Sequence, residues 1–281
     1  MTTKSDQGYL NDMHEWRRAL EQRLRAENGW LALAGLIWLH EGQQRVGKLK
    51  NSNHTLAIEA APDDLGQFAL ENGRVHFQPN PDLRININDQ PASQKWLAAE
   101  TDPHPDFIAI GDLRIVVVQR GGRFGLRIWD NSRPERVEFP GRSWYPIEPG
   151  FRLRARFIPA DSDRKVVIPD VLGNFSEEQI LGELLVEYSG EMLRLQVLDA
   201  AERKAFLIFA DRTNGETTYP GGRFMVVELG ASEEIELDFN RAYNPPCAFT
   251  PYATCPLPPD PNRLSIRIEA GERFDSSATS H

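Results

Sequence analysis

The sequence predicts a mainly β protein, and three observations carry that prediction. From about residue 45 the chain breaks into short apolar-rich runs separated by turn signals roughly every 8 to 12 residues, the pattern of a sandwich or barrel. Asn72-Gly73 stands between two such runs, and this dipeptide supplies the two left-handed residues that a tight β-hairpin needs. The second half keeps the same alternation, as in FRLRARFIP, where apolar and basic residues trade places along a half-buried strand.

One helix precedes the strands. Leu10, Met13, Trp16, Leu20 and Leu24 recur at spacings of three and four, which predicts a helix over 9–27. Asn28-Gly29 is its stop, with Gly29 expected in the left-handed cap position. The run Trp30–Leu39 is buried, as strand or as helix, because periodicity does not separate the two. Next come HTLAIE, FALEN, RVHFQ, LRININ, FIAIG and LRIVVVQR, with turns at Asn88-Asp89 and Gly111-Asp112. The expected organisation is an N-terminal helix and apolar segment over 1–42 and a small β-sandwich over 43–133. A larger antiparallel β-sandwich or barrel follows over 134–273, closed by a proline-rich strap. Residues 274–281, small and polar, form a disordered tail.

Composition excludes several functions. The 281 residues carry a net charge of −9, and no basic footprint marks a nucleic-acid surface. The acidic balance also argues against an anionic membrane as partner. The longest apolar run has ten residues, where a bilayer crossing needs about 20. The polar start lacks the apolar core of a secretory signal, so the expected location is cytoplasmic. In that compartment Cys247 and Cys255 are expected as free thiols, too few for a structural zinc site. Six scattered histidines show no metal-ligand spacing, and no serine sits in a nucleophile elbow. Gly121-Gly122 and Gly221-Gly222 are followed by β-type residues instead of a helix, so neither is a phosphate loop. Both read as hairpin turns. No metal and no cofactor is expected, and the sequence does not settle whether the protein is an enzyme.

The segment Asn240–Arg263 is different in kind. Seven prolines, two cysteines and two aromatics lie between Asn244 and Asn262. Proline fixes φ and removes a donor, so this stretch is a pre-shaped strap, neither helix nor central strand. It is a structural cover over one end of the barrel, or it is the wall of a site. Polar side chains placed between the prolines favour the wall. The candidate ligand-binding residues are therefore Asp238, Asn240, Tyr243, Asn244, Cys247, Tyr252, Asn262 and Arg263. Tyr219 and Arg223, from the polar turn Asp211–Arg223, complete the set. The function expected from them is a pocket protein, small-molecule binder or enzyme, with its site between the GGRF turn and the strap. The alternative is a protein-interaction module that uses the first β-sandwich.

Two resemblances attach to these motifs. AYNPPCAFTPYATCPLPP followed by NRL and IEAGE resembles the hallmark of a family called domain of unknown function sixteen-eighty-four. The opening EWRRALEQRLRAENGWLALAGLIWLHEG and the strings RFGLRIWD, FPGRSWYPI and FADRTNGETTYPGGRF look like landmarks of the same family. That resemblance implies a shared fold and no particular activity. Residues 43 to 120 resemble the layout of a forkhead-associated β-sandwich, through Arg45-Val-Gly47, ININDQPAS and IAIGDLRIVVV. The phosphothreonine-reading pattern of that fold, an early Gly-Arg and a following Ser-x-x-His, is missing, so no phosphopeptide role is implied.

Overall fold

The computed structural model describes residues 4–49, 53–161, 163–199 and 203–275. Most of the expected tail, from residue 276 onward, lies outside these. Its first residue does not dangle: the Phe274 amide donates to the Thr217 carbonyl at 2.9 Å, and its ring meets Tyr219 edge-on at 5.1 Å. The elements in chain order are α1 (Lys4–Arg25), β1 (Leu33–Trp38), β2 (Gly42–Gly47), β3 (His54–Thr55), β4 (Gly66–Glu71), β5 (Arg74–Pro79), β6 (Asn86–Ile87), β7 (Gln90–Pro91), β8 (Lys95–Leu97), β9 (Phe107–Ile110), β10 (Leu113–Arg120), β11 (Arg123–Asp130), α2 (Pro134–Glu138), β12 (Arg152–Pro159), β13 (Lys165–Pro169), β14 (Phe175–Tyr188), β15 (Glu191–Asp199), β16 (Lys204–Phe209), β17 (Arg223–Glu228) and β18 (Glu234–Asp238). The protein is mainly β, as expected. Its chain forms two compact units, Leu20–Pro140 and Met1–Ala19 with Gly141–His281.

The first of these units is a sandwich. Sheet β1-β11-β10-β9-β6-β7 and sheet β3-β2-β4-β5-β8 share one core, in which Phe68, Phe77, Ile115 and Leu126 are buried. Tight turns at Asn72-Gly73 and Asn88-Asp89 take left-handed φ at both central residues, and so does Gly121-Gly122. The apolar run Trp30–Leu39 does not stand apart from the sandwich. It becomes a short 3-10 turn and then β1, which pairs with β11.

The helix stop works differently from its reading in sequence. Asn28, with φ +57°, takes the left-handed position, while Gly29 is extended. Glycine is needed there for closeness: a Cβ would sit 2.7 to 2.8 Å from the carbonyl oxygens of Leu24, Ala26 and Arg23.

The second unit is a barrel-like sheet of six antiparallel strands in the order β17-β16-β15-β14-β12-β18, with β13 paired to β14 outside that path. Inward residues of every strand, among them Ala155, Leu184, Leu195, Leu207, Met225 and Leu237, form its core. The sheet is nearly closed. β17 and β18 follow one another in sequence, yet they are its two open edges.

Candidate functional site

The strap is bound to the barrel through buried polar side chains. Asn262, 1% exposed, accepts from the Gln196 amide at 2.7 Å and donates to the carbonyls of Gln196 and Ile208, both at 2.8 Å. β15 and β16 pair only at Leu198–Phe206 and Asp199–Ala205, so the Asn262 amide serves backbone that the ladder leaves unpaired. Arg223 is fully buried. The anionic group it meets is the Asp211 carboxylate at 2.5 Å, and it also donates to the carbonyls of Ile268 (2.9 Å) and Ala270. Burial holds its guanidinium below the usual arginine value, against the pull of Asp211.

A second buried ion pair joins Arg142 to Glu272 at 2.6 Å, and the Asn244 amide donates to the same carboxylate at 2.8 Å. The Asn244 side chain donates to the Arg273 carbonyl at 2.9 Å, while its buried Oδ1 has no partner among the described residues. Burial pushes the Glu272 carboxyl up to about 7, although Arg142 pulls it the other way. Gly271, φ +78°, makes the turn before it, where a Cβ would lie 2.5 Å from the Ala242 carbonyl oxygen.

Asp238 anchors a third cluster. Its carboxylate accepts from the Tyr9 hydroxyl at 2.7 Å and from the Asn240 amide nitrogens, while Arg152 lies over the Tyr9 ring at 4.0 Å. Burial, then Asp238, raises the Tyr9 phenol above its ordinary value. Tyr243 stacks edge-on between Trp16 and Phe224. Tyr219 donates to the Cys247 carbonyl at 3.2 Å, and burial pushes its phenol up to about 12. Tyr252 is half-buried, and Arg263 is exposed, 3.7 Å from Asp260.

Seven of the ten sequence candidates thus fall into separate clusters: Arg223 with Asp211, Asn244 with Glu272, Asp238 with Asn240, Tyr219 with Cys247, and Asn262 between two strands. One of them, Asp238, lines a cleft of about 530 Å³ with Arg241 and residues of β17, β18 and their connecting loop. The cleft is the seam of the barrel. Phe224 and Tyr243 exchange both backbone bonds and pin one end of it. Beyond that bridge β18 leaves to pair with β12, and the two arms of the hairpin splay. Met225, Val227 and Ile235 are buried there, Val226 is 43% exposed, and Glu228, Glu234 and Glu236 are exposed. Among the described residues Glu228 and Glu234 make no ion pair, while Glu236 bonds Arg152 at 2.7 Å. The sequence reading passed over these glutamates because E-L-G-A-S-E-E-I-E looks like an ordinary solvated hairpin. The excess of acid on both arms was the available signal.

A smaller cleft of about 380 Å³ lies in the sandwich beside edge strand β8, where Arg74 stacks over Trp96 at 4.8 Å. Gly121-Gly122 is the hairpin turn it looked like. Gly221-Gly222 is not: it ends a long loop between the paired strands β16 and β17. Among the described residues no group of three or more His, Cys, Asp or Glu is placed to hold a metal ion, and no helix is long and apolar enough to cross a membrane.

Comparison with curated proteins gave no match. Among solved structures, the NMR structure of an uncharacterized protein of Haloarcula marismortui is 32% identical, covering 52% of this chain and 83% of that one, with a TM-score of 0.44. The Rv0020c FHA structure is 12% identical, covers 34% of this chain and 88% of that one, and has a TM-score of 0.23. Residues 137–273, the stretch holding the barrel, the strap and the seam cleft, match the model of the family described as protein of unknown function DUF1684, and that match is what relates this chain to a protein family.

Proposed function

We propose that this protein is a pocket protein that binds a small organic cation with an apolar body in the seam between β17 and β18. One observation carries the reading: consecutive antiparallel strands, which would normally pair, are held apart around a cleft of about 530 Å³. That volume lies within the range of small-molecule sites, roughly 300–1,000 Å³. Apolar Met225, Val227 and Ile235 line it, and carboxylates stand around it, so an amine gains charge-assisted bonds and its carbon body gains burial. Of the ten residues expected from the sequence to bind a ligand, Asp238 alone lines this cleft, beside Arg241 at the start of the strap.

Calorimetry against a panel of hydrophobic mono- and diamines tests this. Replacing Glu228 and Glu234 with glutamine should weaken a hit about tenfold or more, the worth of one or two charged hydrogen bonds. A hit whose affinity is unchanged in that double variant binds elsewhere and refutes the seam reading. A second reading, docking of a protein segment on the sandwich, is favoured by half-exposed Trp96 on the edge strand β8. Trp96→Ala should then abolish partner binding and leave amine binding unchanged.

A further inference from the structure

We propose that Cys247 and Cys255 are a reversible dithiol–disulfide pair, a site of oxidative modification built into the strap. The two thiols are eight residues apart in sequence, and the fold of the strap brings the Cys255 sulfur against Cys247. The Cys247 amide donates to Cys255 Sγ at 3.2 Å, and the Cys247 thiol donates to the Ala253 carbonyl at 3.4 Å, so both sulfurs are held inside the loop they bracket. Both cysteines are free. Pro245 and Pro246 open the 3-10 turn that carries Cys247, and Pro256 follows Cys255, so prolines fix the chain at both ends of the pair. Neighbours hold the arrangement from outside: the Tyr219 hydroxyl bonds the Cys247 carbonyl at 3.2 Å, and the Cys255 carbonyl accepts from the Val171 amide at 3.0 Å. Two thiols placed in contact by rigid backbone are more than an inert core requires, since one buried thiol packs as well as any small apolar group.

The two sulfurs differ in a way that assigns their roles. Cys247 is half-buried and Cys255 is buried. The neighbouring Cys255 side chain holds Cys247 below the usual thiol value, and Cys247 together with burial raises Cys255. Cys247 is therefore the accessible attacking thiolate and Cys255 the resolving thiol. With a hydroperoxide as oxidant, the Cys247 thiolate attacks the terminal oxygen. The O–O bond breaks, and the leaving oxygen departs as hydroxide, or as the alkoxide of an organic peroxide, and takes a proton. Cys247 becomes a sulfenic acid. The Cys255 sulfur then attacks Cys247 Sγ, the S–O bond breaks, and the expelled hydroxide combines with the Cys255 proton as water. Two thiols have given two electrons, and the peroxide has been reduced to two waters, or to one water and an alcohol. A dithiol reductant reverses the state by thiol–disulfide exchange.

The test uses the full chain, purified reduced. Wild-type protein given one equivalent of hydrogen peroxide should lose both titratable thiols and two hydrogens of mass as a monomer, and recover both thiols in dithiothreitol. Cys255→Ala should stop at a sulfenic acid on Cys247, trapped by dimedone and located by peptide mass spectrometry. Cys247→Ala should resist that dose. Retention of both thiols in wild-type protein overturns the proposal, and that measurement needs no variant to fold. It is also overturned if the disulfide forms only between chains, or if the sulfenic acid appears on Cys255 in Cys247→Ala.

Discussion

Replacing Asn262 with alanine should be among the most damaging single changes in the barrel. Its side chain makes three hydrogen bonds, of 2.7, 2.8 and 2.8 Å, to backbone groups of Gln196 and Ile208. The residue is 1% exposed, so removing the amide leaves one N–H and two carbonyls without partners in the interior. An unsatisfied buried group costs about 1–3 kcal/mol. Three of them give about 3–6 kcal/mol, the lower part of their summed range, because a water can enter the vacated space and serve two or three of them. Set against a total stability of about 5–15 kcal/mol, that is a large fraction. Asn262→Asp should be comparably damaging, because it keeps the acceptor for Gln196 N–H but sets a carboxylate against two carbonyls. Urea denaturation followed by circular dichroism measures the loss, with Arg263→Ala as the control. That neighbour is exposed, so its removal should change stability by less than about 0.5 kcal/mol. A loss below about 1 kcal/mol for Asn262→Ala would refute the view that the strap is latched to the barrel through this side chain.

Three further outcomes follow from the same structure. Glu272 titrates near 7 in the folded protein against 4.5 ordinarily, so the folded state holds its proton more tightly. Its contribution is fully present below about pH 4.5 and is lost as pH rises to about 7, at up to about 1.4 kcal/mol per pH unit. Urea midpoints across that window should fall with rising pH for wild type and be flatter for Glu272→Gln. Asn244→Ala should lower the melting temperature, having lost a bond to the Arg273 carbonyl worth about 1 kcal/mol, whereas Tyr252→Phe should be neutral within about 0.5 kcal/mol. Phosphothreonine peptides should show no saturable binding to the sandwich by fluorescence anisotropy.

Much of the fold was legible because its signals are local. Asn72-Gly73 and Asn88-Asp89 encode their turns in two residues each, and the alternation in FRLRARFIP sets the inward face of β12. The proline-rich strap announced its irregular backbone in the same way. What failed locally was decided by distant contacts. Gly221-Gly222 looks like Gly121-Gly122, but only the latter is itself a two-residue turn, whereas Gly221-Gly222 ends a long loop between β16 and β17. Gly29 was expected in the left-handed cap and instead serves close approach to three carbonyls, which no dipeptide rule contains. The candidate residues were recognisable as unusual, since Arg223, Asn240, Asn244 and Asn262 are all buried polar groups. Their partners Asp211, Glu148, Glu272 and Gln196 lie from twelve to ninety-two residues away. Sequence spacing therefore could not divide them between latch and cleft. The cleft itself arises because β18 pairs with β12 instead of with its neighbour in sequence.

An amide-resolved NMR titration with the tightest amine from the panel tests the central claim most directly, because it locates the ligand without any substitution. The account predicts saturable shifts concentrated at Val226, Glu228, Glu234 and Glu236, whose residues line the seam. Shifts centred on Arg74 and Trp96 of the sandwich cleft, or saturation with no response from β17 and β18, would contradict it.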